Sequence, residues 1–327
     1  MRVMVAGGAG FIGSHVSEEL VDRGHEVVCV DNLSTGRGAN IAHLYGEPRF
    51  EFLKVDIAAV PTIDIDVILH LASPASPVDY QQMPLETLAA NSIGTWRLLD
   101  VARDTGARLV FASTSEVYGD PLVHPQPESY WGNVDPVGPR SCYDEGKRFG
   151  EALVTSYRAK HGVRGTILRF FNTYGPRMRR DDGRVMPELI SAALDGRPLK
   201  VHGDGTQTRS FCYVDDLVEA VLAVTLDPLS DGLILNVGNP EEVTIRDLAK
   251  QILRHIRPDG DIDFVRKRQG DPERRRPVIT QIQDRYGWSP KTRLADGLGR
   301  TINWFVTESA SVVPAPGPAF QPVELTS

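Results

Sequence analysis

Tyr143 and Lys147 stand four residues apart in SCYDEGKRFGEALVTSYRAKH, where a helical pattern covers Tyr143–His161. Four residues is just over one helical turn, so the phenol and the ammonium share a face. A phenol with a pKa near 10 is a poor base at neutral pH, and a neighbouring positive charge lowers it toward use. The pair reads as a general acid–base couple or, taken alone, as a solvated pair on a helix. Ser113-Thr114-Ser115-Glu116 comes before it, at the end of an apolar run. Thr114 can bond the same hydroxyl that Tyr143 would deprotonate. Upstream, GGAGFIG (Gly7–Gly13) follows the first apolar run and opens a helical pattern. Glycine there permits a tight turn and lets backbone N–H groups approach an anion. The spacing is G-x-x-G-x-x-G rather than G-x-G-x-x-G, and a glycine run alone is also read as a plain turn. Asp31 ends the second apolar run, where an acid accepts the ribose hydroxyls of a dinucleotide. A carboxylate there repels a 2′-phosphate, which favours NAD over NADP. Arg37, nearby, points the other way. Asp56-Ile57 closes the third run, and Asp56 either borders an adenine or caps a helix.

The elements that must hold these residues follow from periodicity. Arg2–Val5, Glu26–Asp31, Phe50–Val55, Asp66–Leu71 and Arg108–Ser113 read as strands, with Gly165–Phe170 and Leu233–Val237 as later strands of the same sheet. Phe11, Ile12, Val16, Leu20 and Val21 fall on one helix face, and Leu85–Thr105 has a helical pattern. Continuous apolar strands separated by helices predict an α/β fold: a Rossmann-type, doubly wound parallel sheet. Asn32 and Leu71-Ala72-Ser73 sit at strand ends and join the expected cofactor set with Phe11 and Ile12. From about Asn172, Arg, Gly and Pro become dense, which predicts a smaller substrate-binding lobe. The expected division is 1–171 for the cofactor, with later strands from about 210–240, and 172–308 mainly for the substrate. Residues 309–327 lack periodicity and are expected to be disordered.

Composition narrows the partners. The chain has 327 residues, 41% of them hydrophobic, and a net charge of −7. An acidic balance disfavours nucleic acid and anionic membrane surfaces. No apolar run is long enough to span a bilayer, and the glycine-broken N-terminus reads as strand and turn rather than a leader. Cys29, Cys142 and Cys212 are far apart and odd in number, so a disulfide framework or a zinc site is not expected and the cytoplasm is. No metal is expected. His70, at a strand end, reads as structural.

Gly7–Gly13, Asp31, Thr114, Tyr143 and Lys147 together resemble the extended short-chain dehydrogenase/reductase superfamily. Longer strings are more specific: HLASPASPVDY (His70–Tyr80), ASTSEVYGDPLVHPQPESYWGNVDPVGPRSCYDEGKR (Ala112–Arg148), FNTYGPRM (Phe171–Met178), DGRV (Asp182–Val185) and GDGTQTRSF (Gly203–Phe211). They are similar to the UDP-glucuronate decarboxylases, or UDP-xylose synthases, and the likeness stops short of the tail. In that comparison a 4,6-dehydratase carries Thr-Asp-Glu where this chain has Thr114-Ser115-Glu116, so Ser115 argues against water loss. Simple C4-epimerases usually lack an acid at the position of Glu116, which the decarboxylases have. The decarboxylases also carry an arginine in a basic string, here Pro272–Pro277, where Arg275 aligns best.

The resemblance implies transient oxidation of UDP-glucuronate at C4, loss of CO2 from the β-keto acid, and reduction to UDP-xylose, with NAD tightly bound and recycled. It implies Tyr143 as base, Lys147 and Thr114 as its partners, Glu116 against the ring or a water, and Arg275 on the carboxylate. Arg209 is the expected diphosphate cation. Asn172 and Gln207 are amide partners, Tyr80 meets the carboxylate end, and Val185 lies in the substrate pocket. Arg177, Arg179 and Arg180 read mainly as surface cations, with Arg177 facing either the diphosphate or a partner subunit. The helices Leu85–Thr105 and Tyr143–His161 match those that pair across the dimer axis in this superfamily, which implies a homodimer. Release of UDP-4-keto-pentose, a 4-epimerase, a TDP-sugar substrate and a non-catalytic NAD-sensing protein remain the alternatives.

Overall fold

The structure, a computed structural model, describes residues 1–266 and 274–310. Seven parallel strands form one sheet in the order Ile234–Val237, Gly165–Phe170, Arg108–Thr114, Val67–His70, Arg2–Ala6, Glu26–Val30, Phe50–Leu53. All seven predicted strands are present, with ends shifted by a residue or two. The strands are apolar on both faces because each feeds two cores. Val3, Val5, Val27, Cys29, Val67 and Leu69 pack toward the helix Phe11–Asp22 and the second lobe. Met4, Ala6, Val28, Val30, Ile68 and Phe111 pack toward the helices Thr95–Thr105 and Ser141–His161. Strand order reverses between Arg2–Ala6 and Val67–His70, and a ligand crevice opens at such a switch point, beyond the C-terminal strand ends.

The expected helix Leu85–Thr105 is instead interrupted. Helical turns at Pro84–Ala89 and Thr95–Thr105 flank a wider π turn at Ala90–Gly94. The π turn lies where Ile57 packs so close to Gly94 that a Cβ there would be 2.3 Å from Ile57 Cδ1. In the same turn Asn91 Nδ2 donates to Ser73 Oγ and to Thr87 O, each at 2.9 Å. The second long helix begins two residues earlier than expected, at Ser141, and ends at Gly162 with φ +69°.

Beyond the sheet, three short strand pairs and the helices Val185–Leu194, Ile245–Ile256 and Leu294–Ala310 make the second lobe. The chain leaves the sheet after Gly165–Phe170 and returns with Ile234–Val237 at its edge, so the two parts interleave. The last helix extends through Ala310, two residues into the span expected to be disordered. The tail from 311 on lies outside the described residues.

Candidate active site

The glycine-rich turn closes on itself tightly. Gly7 has φ +82°, and a Cβ there would be 2.7 Å from Ala72 N; one at Gly13 would be 2.0 Å from Gly7 O. Gly7, Gly10, Phe11, Ile12 and Gly13 line the cleft, with Leu71 and Ser73 across from them. Gly10 caps the helix Phe11–Asp22 without a side chain, so the N-terminal helix end faces the cleft as an anion seat. Asp31 Oδ2 accepts from Ala9 N at 3.0 Å and Oδ1 from Leu33 N at 2.8 Å, tying the turn to the second strand. Burial raises the Asp31 pKa, against those two N–H groups. Asn40 Nδ2 donates to Ala9 O and holds the same turn from the other side. The cradle fits a dinucleotide diphosphate and leaves no room for a larger residue at Gly7 or Gly13.

Five expected cofactor residues, Asp31, Asn32, Asp56, Ile57 and Ala72, are not among the residues lining the cleft. Asn32 Nδ2 donates to Asp56 Oδ2 at 2.8 Å, and Asp56 caps the short helix Ile57–Ala59 through Ala58 N. Ile57 is buried against Gly94, and Ala72 lies beneath Gly7. Asp56 does cap a helix, one of the two roles its position offers. Arg37 pairs with Glu308 of the last helix at 2.6 Å and is engaged there.

Tyr143 and Lys147 come from one face of the helix Ser141–His161, as their spacing predicts. Tyr143 is 7% exposed, and its ring stacks on Tyr80 with centroids 5.2 Å apart. Burial pushes the phenol up to about 12, although a hydrogen bond with Thr114 works to lower it. Lys147 donates to Ala112 O at 2.8 Å, and burial lowers its pKa to about 7. The expectation that Lys147 lowers the phenol is thus not met by these residues alone, because both groups are buried and the ammonium is itself destabilised.

Glu116 follows Thr114 in a short helical turn, and its carboxylate is held between Arg140 on one oxygen and Arg275 on the other. Burial acts to raise its pKa, but the two guanidinium groups outweigh it and hold the carboxyl well below the usual range. Arg275 also donates to Gly119 O at 3.0 Å, and its carbonyl accepts from Ser210 Oγ at 3.1 Å. Of the basic string, Arg275 is buried here, while Arg274 is exposed and Arg276 lies near Glu242 at 3.9 Å. Pro272 and Glu273 lie outside the described residues.

Tyr80, Asn172, Val185, Gln207 and Arg209 all line the same cleft, Tyr80 from the helix Pro77–Gln82 beside Tyr143 and the other four from the chain after the strand Gly165–Phe170. Gln207 Nε2 donates to His202 O at 2.6 Å, and Arg209 donates to Thr208 O at 2.8 Å. Arg177, Arg179 and Arg180 pair with Glu18, Asp79 and Asp195 respectively. His70 is fully buried between Thr95 and Phe111.

Arg140, Arg184 and Asp144 were not singled out from the sequence. Arg140 stands three residues before Tyr143, and its i,i+4 relation to Asp144 was the available signal. Arg184 stacks its guanidinium 5.9 Å from the Phe11 ring and faces Tyr143. Burial, and then Glu116, raise the Asp144 carboxyl.

The chain belongs to the NAD dependent epimerase/dehydratase family, which matches residues 3–238. Among its relatives, UDP-glucuronic acid decarboxylase 1 of Xenopus tropicalis is 46% identical over 97% of this chain and 76% of its own length. UDP-glucuronic acid decarboxylase 5 of Arabidopsis thaliana is 48% identical over 91% of this chain and 87% of its own. Among solved structures, UDP-glucuronic acid 4-epimerase from Bacillus cereus, bound to UDP-glucuronic acid and NAD, superposes with a TM-score of 0.86. It is 29% identical, over 94% of this chain and 100% of that one. The dTDP-glucose 4,6-dehydratase of Streptomyces venezuelae with NAD gives 0.86 at 30% identity, over 95% of this chain and 98% of that one.

Proposed function

We propose that this protein is a carboxy-lyase that uses NAD to convert UDP-glucuronate into UDP-xylose and CO2. The observation that carries the reading is the contact between Glu116 and Arg275, beside Tyr143 and Thr114. Decarboxylase relatives at 46% and 48% identity support it.

Gly7, Gly10 and Gly13 would seat the cofactor diphosphate, with Asp31 toward the adenosine ribose, Lys147 toward the second ribose and Ser73 beside it. Bound NAD supplies removal and return of hydride at C4, and a positive ring that lowers the Tyr143 phenol. Tyr143 accepts the C4 hydroxyl proton, with Thr114 fixing that oxygen. The resulting C4 ketone is the electron sink for cleavage of the C5–C6 bond. Arg275 orients the departing carboxylate. Glu116, kept ionised by Arg140 and Arg275, positions the ring or a water for protonation at C5. Tyr143 then returns its proton to the C4 oxygen. Arg209 serves the diphosphate, Asn172, Gln207 and Val185 the nucleotide side, and Tyr80 the carboxylate end. We assign residues 1–171 with Ile234–Val237 to cofactor binding, and most of 172–308 to the substrate.

The test is incubation with UDP-glucuronate and no added NADH, reading products by mass and NMR. UDP-xylose with one CO2 each is expected. UDP-galacturonate as sole product would replace the reading with a 4-epimerase, the activity named for the Bacillus cereus structure. Biological activity undiminished in Tyr143→Phe would favour a non-catalytic NAD sensor.

The reading extends to assembly and location. Leu85 is 74% and Ile93 61% exposed, and Trp96 and Phe149 are exposed beside them on the two long helices. This face fits a homodimer, and a monomeric mass by light scattering would count against it. Among the described residues no helix is long and apolar enough to cross a membrane, and all three cysteines are free thiols, which fits the cytoplasm.

A further inference from the structure

Residues 176–184 bridge two helices on opposite sides of the cleft. At one end, His15 Nε2 lies 3.1 Å from Pro176 O and Arg177 pairs with Glu18, both on the helix that begins at the glycine-rich turn. At the other end, Arg179 donates to both oxygens of Asp79, at 2.6 and 2.7 Å. Asp79 lies on the helix Pro77–Gln82, whose Tyr80 stacks on Tyr143. Gly183, at φ +77°, rests so close to this helix that a Cβ would be 2.3 Å from Val78 Cγ2. Arg177, Met178, Arg179 and Arg184 all face the cleft. The segment therefore roofs the space between the cofactor cradle and Tyr143. The Arg179 and Asp79 side chains are 19% and 12% exposed. A shielded, two-oxygen pair of this kind has interaction energy to lose, which an exposed pair lacks.

We propose that the Arg179–Asp79 pair latches segment 176–184 over the cleft, and that this latch decides whether the 4-keto intermediate is reduced in place or escapes. The inference rests on the decarboxylase reading. Oxidation at C4 sends a hydride to the cofactor and the hydroxyl proton to Tyr143. Cleavage of the C5–C6 bond releases CO2 and C5 takes up a proton. If the cleft opens at this point, the balance is UDP-glucuronate plus NAD⁺ giving UDP-4-keto-pentose, CO2 and NADH. If it stays closed, hydride and proton return to C4, giving UDP-xylose and NAD⁺ at the expense of one proton from solvent.

Asp79→Asn removes the anion with little change of shape, and Arg179→Gln removes the cation together with the reach of the side chain. Arg179→Lys keeps the charge but replaces the planar guanidinium, whose Nη2 reaches both Asp79 oxygens, by a more strongly hydrated point charge. NADH dissociation is followed by stopped-flow fluorescence, and the product ratio by NMR. The first two variants are expected to release NADH about tenfold faster, the equivalent of about 1.4 kcal/mol. They should also yield more UDP-4-keto-pentose, with one NADH appearing per ketone. Arg179→Lys should fall between them and the parent, and it carries the test should the other two fail to fold. NADH release and product ratio equal to the parent would overturn the latch, even if turnover fell. Should the parent produce no decarboxylated sugar, the functional reading fails, while the NADH release rates still judge the latch.

Discussion

Lys147→Met separates what this residue does for chemistry from what it does to folding. The side chain is 3% exposed and donates to Ala112 O at 2.8 Å, with the Phe111 ring centroid 5.0 Å from Nζ. Burial carries its pKa from 10.5 down to about 7, with Glu151 opposing. A lysine whose folded value lies below its unfolded value costs stability. The cost is full below the folded value and fades as pH rises toward the unfolded one. That gap corresponds to about 5 kcal/mol. Methionine keeps the length and discards the charge, but it strands the Ala112 carbonyl, a loss of about 2 kcal/mol. The variant is expected to exceed the parent in stability by about 3 kcal/mol near pH 6. The advantage should shrink by about 1.4 kcal/mol for each pH unit above 7 and vanish near pH 9. Turnover should fall by at least about a hundredfold. The assay is urea unfolding of nucleotide-free protein from about pH 6 to pH 10, with UDP-glucuronate turnover beside it. A variant less stable than the parent near pH 6, or a stability difference that ignores pH, would refute the burial argument.

Glu116→Gln should cost about 3 kcal/mol or more near neutral pH, because Arg140 and Arg275 then face each other without an anion between them. The folded Glu116 carboxyl lies well below its unfolded 4.5, so its contribution is full above about pH 4.5 and is lost only as pH falls further toward the folded value; the urea midpoints of variant and parent should close up over that acid range. Arg275→Met should lower kcat/KM on UDP-glucuronate by about a hundredfold or more, since in the proposed mechanism it removes the cation that orients the departing carboxylate, and unchanged kinetics would remove Arg275 from the mechanism. Gly13→Ala puts a Cβ 2.0 Å from a backbone oxygen that no side chain can yield for, so nucleotide should no longer co-purify and the melting temperature should drop. Leu85→Glu with Ile93→Glu should halve the mass seen by light scattering while leaving the melt cooperative.

Much of the site was legible because its parts are local. Tyr143 and Lys147 are one helical turn apart, Gly7–Gly13 is one turn of chain, and Thr114 and Glu116 are adjacent to one strand end. In each case spacing and residue type carry the geometry. Arg275 was found by likeness rather than by pattern, since a basic string reads equally as solvated surface. Arg140 was overlooked because an arginine ahead of a helix has no distinguishing period, and Asp56 was ambiguous because capping and ligand binding use the same carboxylate. The interrupted helix at Ala90–Gly94 was also hidden, because the apolar period survives a single wider turn.

The seven apolar runs and their helical spacers were enough to specify a parallel sheet, since a strand buried on both faces admits few other neighbours. The spacing around Tyr143 likewise specified that Tyr143 and Lys147 share one face of a helix, and both line the cleft. Long-range electrostatics could not be read this way. Glu116 and Arg275 meet across 159 positions of sequence, and Arg179 finds Asp79 across 100. Nor could the ionisation of Tyr143 and Lys147 be read from spacing, which brings the groups together but says nothing of burial. Burial depends on every segment that packs around the cleft, and here it outweighs the neighbouring charge in setting both groups.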